Sequence, residues 1–357
     1  MFRRIPSLTS ATSLRPYATV KDPNHVTIVE VGPRDGLQNE KSSIPADVKI
    51  DLINHLNKAG MTIIESGSFV SPKWVPQMAG TDKVISQMDR LPGRHYPVLV
   101  PNMKGLDDLL KLLEKHPSSS TSPPPTDEIA IFTAATDAFT KANTNVTIAE
   151  SLARLQPVTE KALAHGLRVR GYVSVVIACP YTGAVDAEKV RDVSRALLDM
   201  GCYEVSLGDT VGRGTPSTVA HMLETVMSGS KGLPAEKLAG HFHDTFGTAV
   251  ANVMTALSMG VRTIDASIGG LGGCPYSPGA TGNVATEDVL YALQGSKYHA
   301  DGDLDALVDI GDWISQRLGR TNASRAGTAL LAQKARKRLE KERERDGGSA
   351  ENVTAKL

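Results

Sequence analysis

The sequence predicts an α/β fold of the (β/α)8 TIM-barrel type, with extra helices at the C-terminal end. Short runs of β-branched and aromatic residues recur along the chain, and stretches with helical spacing lie between them. Eight such units over roughly 250 residues is the count expected of this barrel. A doubly wound open sheet is the main alternative, but no GxGxxG motif follows the first strand.

The eight predicted strands are the richest β-forming runs of the chain. In order, they cover residues 25–32, 62–70, 96–102, 128–136, 168–177, 203–209, 238–245 and 263–270. Helical spacing is clearest over residues 46–59 and 187–200. Helix ends are predicted at glycines that stand just before a strand, namely Gly60, Gly166, Gly201 and Gly260.

The barrel is predicted over residues 24–300, followed by a helical extension over 301–345 and a flexible tail over 346–357. Residues 116–126 (HPSSSTSPPPT) join the third helix to the fourth strand, and their composition predicts a disordered insertion. Connections from a helix to the next strand lie on the barrel face opposite the catalytic one, so we expect this insertion to have no catalytic consequence.

Composition argues against several classes of partner. Lys plus Arg and Asp plus Glu both number 39, and no basic stripe with interleaved aromatics points to nucleic acid. No apolar run approaches the length that crosses a membrane. The three cysteines, Cys179, Cys202 and Cys274, are too few for a disulfide framework and fit a reducing compartment.

Both termini carry features of targeting signals. Residues 1–20 are rich in Arg, Ser and Thr and contain no acidic residue, which predicts a mitochondrial transit peptide, with a merely disordered basic terminus as the alternative. The chain ends in Ala355-Lys356-Leu357, close to the S-K-L peroxisomal signal. We therefore expect a mitochondrial matrix protein with an additional peroxisomal pool.

Polar and charged residues cluster where the predicted strands end. In a barrel of this type, catalytic groups come from the C-terminal ends of the strands, and ordinary packing does not place charges there. The residues are Arg34 and Asp35 after the first strand, Glu65 in the second, Asp209 at the end of the sixth, and His241 and His243 in the seventh.

The seventh strand predicts a metal platform. His241 and His243 are two residues apart, so both side chains face the barrel interior while Phe242 faces the helices. Barrel closure brings Asp35 near them, and Asn283 after the eighth strand adds an amide oxygen. This mixed set suits Mg²⁺ or Mn²⁺, although two histidines and one carboxylate also fit non-haem iron. Two hydrogen-bonded core histidines are the structural alternative.

Arg34 always carries a charge and presents a planar fork of donors, so beside a metal it is suited to hold an anionic substrate or a developing enolate. A salt bridge to Glu65 or Asp209 is the alternative, and both roles are compatible. We favour a role for Glu65 and Asp209 in orienting the arginine and the histidines over direct proton transfer by either of them.

One cysteine lies in a glycine-rich stretch, GGLGGCPYSPGATGN, over residues 269–283. A thiol with a free pKa of about 8.5 is mostly protonated at neutral pH and is able to act as an acid. On a loop with glycine hinges, Cys274 is able to close over a bound substrate and deliver a proton. Packing within the loop is the alternative, and Cys179 and Cys202 are expected to be small core residues.

Several motifs together resemble the 3-hydroxy-3-methylglutaryl-CoA lyase family, from about Val26 to about Ala326. They are VEVGPRDGLQNEK (29–41), SFVSPKWVPQM (68–78), RGYVS (170–174), SLGDT (206–210) and GGLGGCPYSPGATGNVATEDVLY (269–291). The resemblance implies divalent-metal-dependent cleavage of 3-hydroxy-3-methylglutaryl-CoA to acetyl-CoA and acetoacetate, in leucine degradation and ketone-body formation. It also implies a homodimer.

The resemblance also assigns roles to individual residues. They are Arg34 in substrate binding and catalysis, Asp35, His241, His243 and Asn283 as metal ligands, Cys274 as the catalytic cysteine, and Glu65 and Asp209 as polar catalytic-site residues. In that reaction the cation makes the C3 hydroxyl more acidic. His241, Asp35 and Glu65 all remain candidates for the base that takes its proton.

Three alternatives to the function that the resemblance implies remain open. A condensing synthase of the same superfamily joins acyl-CoAs to keto acids, but only about 75 residues follow the loop motif, which is short for an added regulatory domain. An iron oxygenase uses a similar ligand set. A non-catalytic binding protein on a barrel scaffold is the third, although every expected active-site position is intact.

Overall fold

The computed structural model describes residues 22–117, 123–273 and 282–345. The predictions made for residues 1–20, for Cys274 and for the tail 346–357 therefore lie outside the described residues, as do residues 118–122 of the predicted 116–126 insertion.

Eight parallel strands form the centre of the fold. They are β1 His25–Glu30, β2 in two segments Ile63–Ile64 and Gly67–Ser68, β3 Val98–Leu99, β4 Glu128–Ala134, β5 Arg168–Ser174, β6 Glu204–Asp209, β7 Leu238–Phe242 and β8 Thr263–Ala266. Each strand pairs with the next one in the chain, and β8 pairs with β1. The sheet is thus closed, which confirms the predicted barrel.

The second strand is divided because it changes partner. Its first segment pairs with β1 and its second with β3. At the break, the backbone N–H of Glu65 donates to the Glu30 carbonyl at 2.9 Å, and that of Ser66 donates to the Pro97 carbonyl at 2.8 Å. The prediction of one continuous strand over 62–70 was wrong in this respect, and the break leaves Glu65 at the centre of the barrel wall.

Every predicted strand except the sixth ends earlier than expected, and two of these early ends shape the catalytic face. The strand predicted over 238–245 ends at Phe242, because the next residue, His243, leaves the sheet and pairs with Asn283. β8 likewise ends four residues before the predicted boundary, since a 3-10 turn follows at Ile268–Gly270. The residues that leave the sheet form the site described below.

Helices surround the barrel and extend it. They are α1 Ala46–Lys58, α2 Thr81–Gln87, α3 Met103–Lys115, α4 Asp137–Thr144, α5 Ile148–Ala164, α6 Ala187–Met200, α7 Pro216–Met227, α8 Ala249–Ser258, α9 Thr286–Leu293, α10 Leu304–Leu318 and α11 Arg325–Arg345. The four glycines predicted to end helices all have positive φ, for example 115° at Gly201 after α6. α10 and α11 are the expected extra C-terminal helices.

The apolar core lies mainly between the sheet and the helices. Leu52 and Leu56 of α1 are fully buried there, and Phe242 of β7 points outward into the same layer, as predicted. α10 adds Leu307 and Ile314, which are also fully buried. Among the described residues, no helix combines the length and apolar character needed to span a membrane.

Candidate active site and metal centre

A single π-turn, Gly32–Gly36, carries Arg34 and Asp35 from the end of β1 to the mouth of the barrel. The Glu30 carboxylate fixes the start of this turn by accepting the N–H of Gly32 at 2.8 Å. A side chain at position 32 would bring a Cβ to 2.6 Å from Glu30 Oε1 and would displace the carboxylate that holds the turn. The turn therefore leaves the sheet in one defined direction.

The Arg34 guanidinium is buried and held on two sides. Its Nη1 donates to Asp35 Oδ1 at 2.6 Å, and its Nη2 donates to Glu65 Oε2 at 2.8 Å. Its central carbon lies 5.4 Å from the centroid of the Tyr172 ring, whose hydroxyl also bonds Glu65 at 3.1 Å. Burial opposes the charge, but Glu65 and Asp35 raise the pKa of Arg34 above its usual range. Arg34 is therefore a fixed cation, and Glu65 orients it as expected.

The second oxygen of Asp35 faces the histidines. Asp35 Oδ2 accepts a hydrogen bond from Asn283 Nδ2 at 2.8 Å and lies 4.0 Å from His241 Nε2. Burial raises the pKa of this carboxyl, but Arg34 and, to a smaller extent, the neighbouring histidines outweigh burial and lower that pKa to about 2. Asp35 is therefore a carboxylate throughout the physiological range.

The two imidazoles lie close to each other beside this carboxylate, with ring centroids 5.3 Å apart and a tilt of 44° between the rings. His241 Nε2 and His243 Nε2 are 3.3 Å apart, and both side chains are largely buried. Burial and the neighbouring His241 lower the pKa of His243 to about 4, so this imidazole is neutral. A neutral imidazole is the form that binds metal ions.

Asp265 of β8 holds the imidazole of His241 in place, a role that the sequence did not predict. Its Oδ2 lies 3.1 Å from His241 Nδ1, and the two residues are direct register partners across β7 and β8. An acceptor at Nδ1 holds the proton there and leaves Nε2 free to bind a metal. Burial lowers the pKa of His241, but Asp265 outweighs it and raises that pKa overall.

A buried ion network holds Asp265 inside the barrel. Arg170 Nη2 donates to Asp265 Oδ1 at 2.8 Å, and Ser206 Oγ donates to Oδ2 at 2.7 Å. Arg170 also donates to Glu204 at 2.8 Å and to the Tyr172 hydroxyl at 3.0 Å. Although burial disfavours its charge, Arg170 and His241 hold the pKa of Asp265 well below its usual range. The interior of this barrel is thus polar over part of its depth.

Replacing Asp265 with asparagine should weaken Mn²⁺ binding about 10- to 100-fold, the usual cost of losing a partner that orients a ligating histidine. The volume is preserved, but the carboxylate that holds His241 in one tautomer is lost. Titration calorimetry with Mn²⁺ checks this, with Ser206→Ala as a control that keeps the carboxylate. Equal affinity in Asp265→Asn and the parent would contradict the orienting role.

These residues fit a divalent cation. The ligating atoms of Asp35, His241 and His243 all lie within 4.8 Å of one another. His243 Nδ1 is buried with no hydrogen-bond partner among the described residues, and the two Nε2 atoms face each other at 3.3 Å. With the His243 proton on Nδ1, both Nε2 atoms would present lone pairs to one cation. Turning the Asn283 amide about its last torsion presents its oxygen where its nitrogen now contacts Asp35. One carboxylate, two imidazoles and one amide thus converge on one point.

The described hydrogen bonds of Asp209 do not reach this cluster. Its carboxylate accepts the backbone N–H groups of Arg213 at 3.1 Å and Gly214 at 2.7 Å, in the loop that follows β6. Burial raises its pKa to about 6. The expected bonds from Asp209 to the arginine or the histidines are not among the described contacts, and its catalytic role stays a prediction.

Two further buried carboxyls support the backbone around the site. Both oxygens of Glu287, in the first turn of α9, accept the N–H of Gly269, at 3.0 and 2.9 Å. Glu30 accepts the N–H of Ile268 at 2.9 Å and the hydroxyl of Thr286 at 2.6 Å. Burial raises the pKa of Glu30 to about 7 and that of Glu287 to about 8.

Raised carboxyl pKa values make the folded state bind more protons than the unfolded chain, so stability falls as the pH rises. The contribution of Glu287 is fully present below its ordinary pKa of 4.5 and is lost as the pH approaches 8. We expect Glu287→Gln to flatten the decline of the free energy of unfolding between pH 5 and pH 8, measured by urea denaturation. Glu224→Gln on the exposed face of α7 is the control. Identical pH slopes in Glu287→Gln and the parent would contradict this.

The comparisons with known proteins agree with this geometry. A family model described as HMGL-like matches residues 25–314. The 3-hydroxy-3-isohexenylglutaryl-CoA/hydroxy-methylglutaryl-CoA lyase of Pseudomonas aeruginosa is 51% identical over 310 residues, which is 87% of this chain and 98% of that protein. The mitochondrial hydroxymethylglutaryl-CoA lyase of Mus musculus is 46% identical over 327 residues, covering 92% of this chain and 96% of that one.

The fold agrees with a solved structure as well. The crystal structure of hydroxymethylglutaryl-CoA lyase from Pseudomonas aeruginosa aligns with a TM-score of 0.81 and 50% sequence identity, covering 87% of this chain and 99% of that one. The match to the family model spans the whole barrel, including every residue of the cluster described above. The chain therefore belongs to the HMGL-like family.

Proposed function

We propose that this protein is a divalent-metal-dependent carbon–carbon lyase that cleaves 3-hydroxy-3-methylglutaryl-CoA to acetyl-CoA and acetoacetate. The observation that carries the proposal is the convergence of Arg34, Asp35, His241 and His243 at the barrel mouth. The convergence occurs in a chain that is about half identical, over nearly the whole barrel, to proteins named for this activity.

Asp35, His241, His243 and Asn283 are the proposed metal ligands, and Mg²⁺ or Mn²⁺ is the proposed ion. Oxygen donors combined with neutral imidazoles suit such labile divalent ions. A cation held there supplies Lewis acidity, which lowers the pKa of a hydroxyl group in contact with it.

Arg34 is the proposed anion-binding group. Two of its nitrogens are occupied by Asp35 and Glu65, whereas its Nε is buried with no hydrogen-bond partner among the described residues. A fixed and buried guanidinium with a free donor stabilises negative charge that develops on the thioester enolate. Glu65 and Asp35 hold the guanidinium in place, so little reorganisation is needed when that charge appears.

The reaction requires three bond changes at the acyl chain. The C3 hydroxyl loses its proton to a base, for which His241, Asp35 and Glu65 are the candidates. The C2–C3 bond then breaks to give the ketone of acetoacetate, and C2 of the remaining enolate gains a proton to become acetyl-CoA. Cys274 is the proposed donor of that last proton, because a thiol is mostly protonated at neutral pH. Its sequence position beside the glycines at 272 and 273 supports this role.

The cellular setting is also part of the proposal. The composition of residues 1–20 supports import into the mitochondrial matrix, and Ala355-Lys356-Leu357 supports an additional peroxisomal pool. Fusing residues 1–20 to a reporter, and separately deleting the last three residues of the full chain, tests the two signals independently. A reporter that stays out of mitochondria would contradict the first.

We also propose a homodimer, which sedimentation of the purified chain tests.

The activity is tested by incubating the purified protein with 3-hydroxy-3-methylglutaryl-CoA and following acetoacetate. We expect production with Mg²⁺ or Mn²⁺ and its loss with a chelator, restored on adding the metal back. Cleavage that is indifferent to the chelator would contradict the metal dependence, and a complete lack of acetoacetate would contradict the proposed reaction. Oxygen uptake with Fe²⁺ in place of cleavage would instead favour an oxygenase.

A further inference from the structure

The segments that carry two of the proposed metal ligands pair with each other at the barrel mouth. His243 and Asn283 form an antiparallel bridge, and next to it the N–H of Asp244 donates to the Gly282 carbonyl at 2.7 Å. β7 has already ended at Phe242, so this pairing lies outside the barrel sheet. The relative position of the two ligands therefore depends on a short pairing and on the contacts that hold it from outside.

Arg325, the first residue of α11, contacts both segments. Its Nη1 donates to Oδ2 of Asp244, the residue directly after His243, at 2.6 Å. Its backbone N–H donates to Oδ2 of Asp288, which follows Asn283 by five residues, at 3.3 Å. One residue of the C-terminal extension thus reaches the His243 segment with its side chain and the Asn283 segment with its backbone.

Asp288 fixes the start of α11 to the barrel. Its Oδ1 also accepts the N–H of Ala326 and the hydroxyl of Ser324, both at 2.7 Å. The first N–H groups of a helix have no partner within the helix, and the helix dipole favours a carboxylate beside them. Asp288 is itself buried in the first turn of α9. The backbone of Arg325 is therefore fixed to the helix that follows Asn283.

Asp244 is held from two sides. Its Oδ1 accepts the N–H of Ala249, the first residue of α8, at 2.9 Å, while its Oδ2 accepts the hydrogen bond from Arg325. The same loop packs against the guanidinium, because a Cβ at position 247 would lie 3.4 Å from Arg325 Nη2. α8 and α11 together thus constrain the residue next to His243.

Folding stability alone does not account for this link. The side chain of Arg325 is 65% exposed and that of Asp244 is 10% exposed, and an ion pair so open to solvent contributes little to stability. Metal binding is far more sensitive to position, since ligand distances are confined to within about 0.2 Å of their preferred values. The link therefore has more influence on metal affinity than on folding.

We propose that Arg325 is a positioning residue of the metal centre, which holds His243 and Asn283 in register by joining Asp244 to Asp288. The C-terminal extension thereby completes the support of the ligand set from outside the barrel. The inference rests on the metal site of the proposed function, but metal binding measures it without turnover.

The test compares Arg325→Ala with Arg336→Ala in the full-length protein. Arg336 is an exposed arginine of the same helix, and its partner Glu340 lies one turn later on that helix. Titration calorimetry with Mn²⁺, without substrate, measures metal affinity. We expect Arg325→Ala to weaken Mn²⁺ binding about 3- to 30-fold, the range for residues that act on a site without touching its ligand. Its thermal midpoint should stay within about 3 °C of the parent. Arg336→Ala should change neither quantity.

The Mn²⁺ dependence of turnover gives a second readout that a merely structural role would not move. In Arg325→Ala, the Mn²⁺ concentration for half-maximal turnover should rise by the same factor as the dissociation constant. Saturating Mn²⁺ should restore most of kcat, and KM for 3-hydroxy-3-methylglutaryl-CoA should stay within about twofold of the parent.

Three further variants separate positioning from general damage. Arg325→Lys keeps the charge but not the fork, so it should recover only part of the affinity. Asp244→Asn should resemble Arg325→Ala, and the double variant should be no worse than the more affected single one, because both remove the same link. Lys334→Ala removes an ion pair between α11 and Asp309 of α10, and should leave Mn²⁺ affinity unchanged.

Unchanged Mn²⁺ affinity in Arg325→Ala would overturn the proposal. So would additive losses in the double variant, an equal loss in Lys334→Ala, or a rise in KM alone, which would make Arg325 a substrate contact instead. If the parent binds Mn²⁺ but does not cleave 3-hydroxy-3-methylglutaryl-CoA, the proposed reaction fails, whereas the Mn²⁺ affinities still decide the role of Arg325. A parent that binds no Mn²⁺ would overturn both the metal site and this inference.

Discussion

Replacing His243 with alanine should weaken Mn²⁺ binding by more than about 100-fold and should reduce turnover to background. The loss of affinity should exceed the roughly 10- to 100-fold that is typical of losing a residue that only orients a metal ligand. The imidazole supplies one of three ligating atoms that lie within 4.8 Å of one another. Its pKa, lowered to about 4, keeps it neutral and ready to bind metal at any physiological pH. Titration calorimetry with Mn²⁺, together with an acetoacetate assay, measures both effects.

The matched control is His221→Ala, which removes an exposed histidine from α7 and should leave both quantities at parent values. Thermal unfolding of the two variants checks that the loss is local. Unaltered Mn²⁺ affinity in His243→Ala would remove this residue from the proposed ligand set.

Replacing Cys274 with alanine should lower kcat by about 100- to 10,000-fold, which is the range that a positioned acid or base contributes. The affinity for Mn²⁺ should stay within about twofold of the parent, because the thiol belongs to no proposed ligand set. Separate measurement of turnover and metal binding therefore distinguishes an acid from a ligand.

Cys202→Ala provides the comparison for this variant. Cys202 is buried in the apolar core with a pKa raised to about 12 by burial, so its removal should spare both turnover and metal binding. Normal turnover in Cys274→Ala would refute the acid role, and weakened Mn²⁺ binding would point instead to a place among the ligands.

The barrel was predictable because its signals are local. Alternating β-rich runs and helix-ending glycines recur in chain order, and each predicted strand is present. The positions at which the strands end were less predictable. The polar residues that follow each strand continue its alternation of inward and outward side chains, so the sequence does not show where the strand leaves the sheet. His243 is an example: two-residue alternation placed it correctly on the same face as His241, although it lies one residue beyond β7.

Within the site, alternation also explains the two departures from expectation. Ser206 faces the barrel interior, where it bonds Asp265, so Asp209 three residues later points to the opposite side and bonds its own loop. Asp265 faces inward by the same rule, but only the register between β7 and β8 shows that it lies directly beside His241. Register is a non-local property that one sequence does not contain.

The role of the C-terminal extension was the least accessible from sequence. The sequence predicts a helical extension over residues 301–345, and α10 and α11 lie within it. The contact between Arg325 and Asp244 joins residues far apart in the chain, and it depends on how the extension packs against the barrel. No periodic pattern reports such a contact.

The most direct test of this account is a crystal of the protein soaked in Mn²⁺ and measured for anomalous scattering. We expect one strong peak at the barrel mouth, about 2.0–2.3 Å from an Asp35 carboxylate oxygen and from the Nε2 atoms of His241 and His243. A featureless map at that point, with these three side chains turned away from one another, would contradict the central claim that they form a metal site.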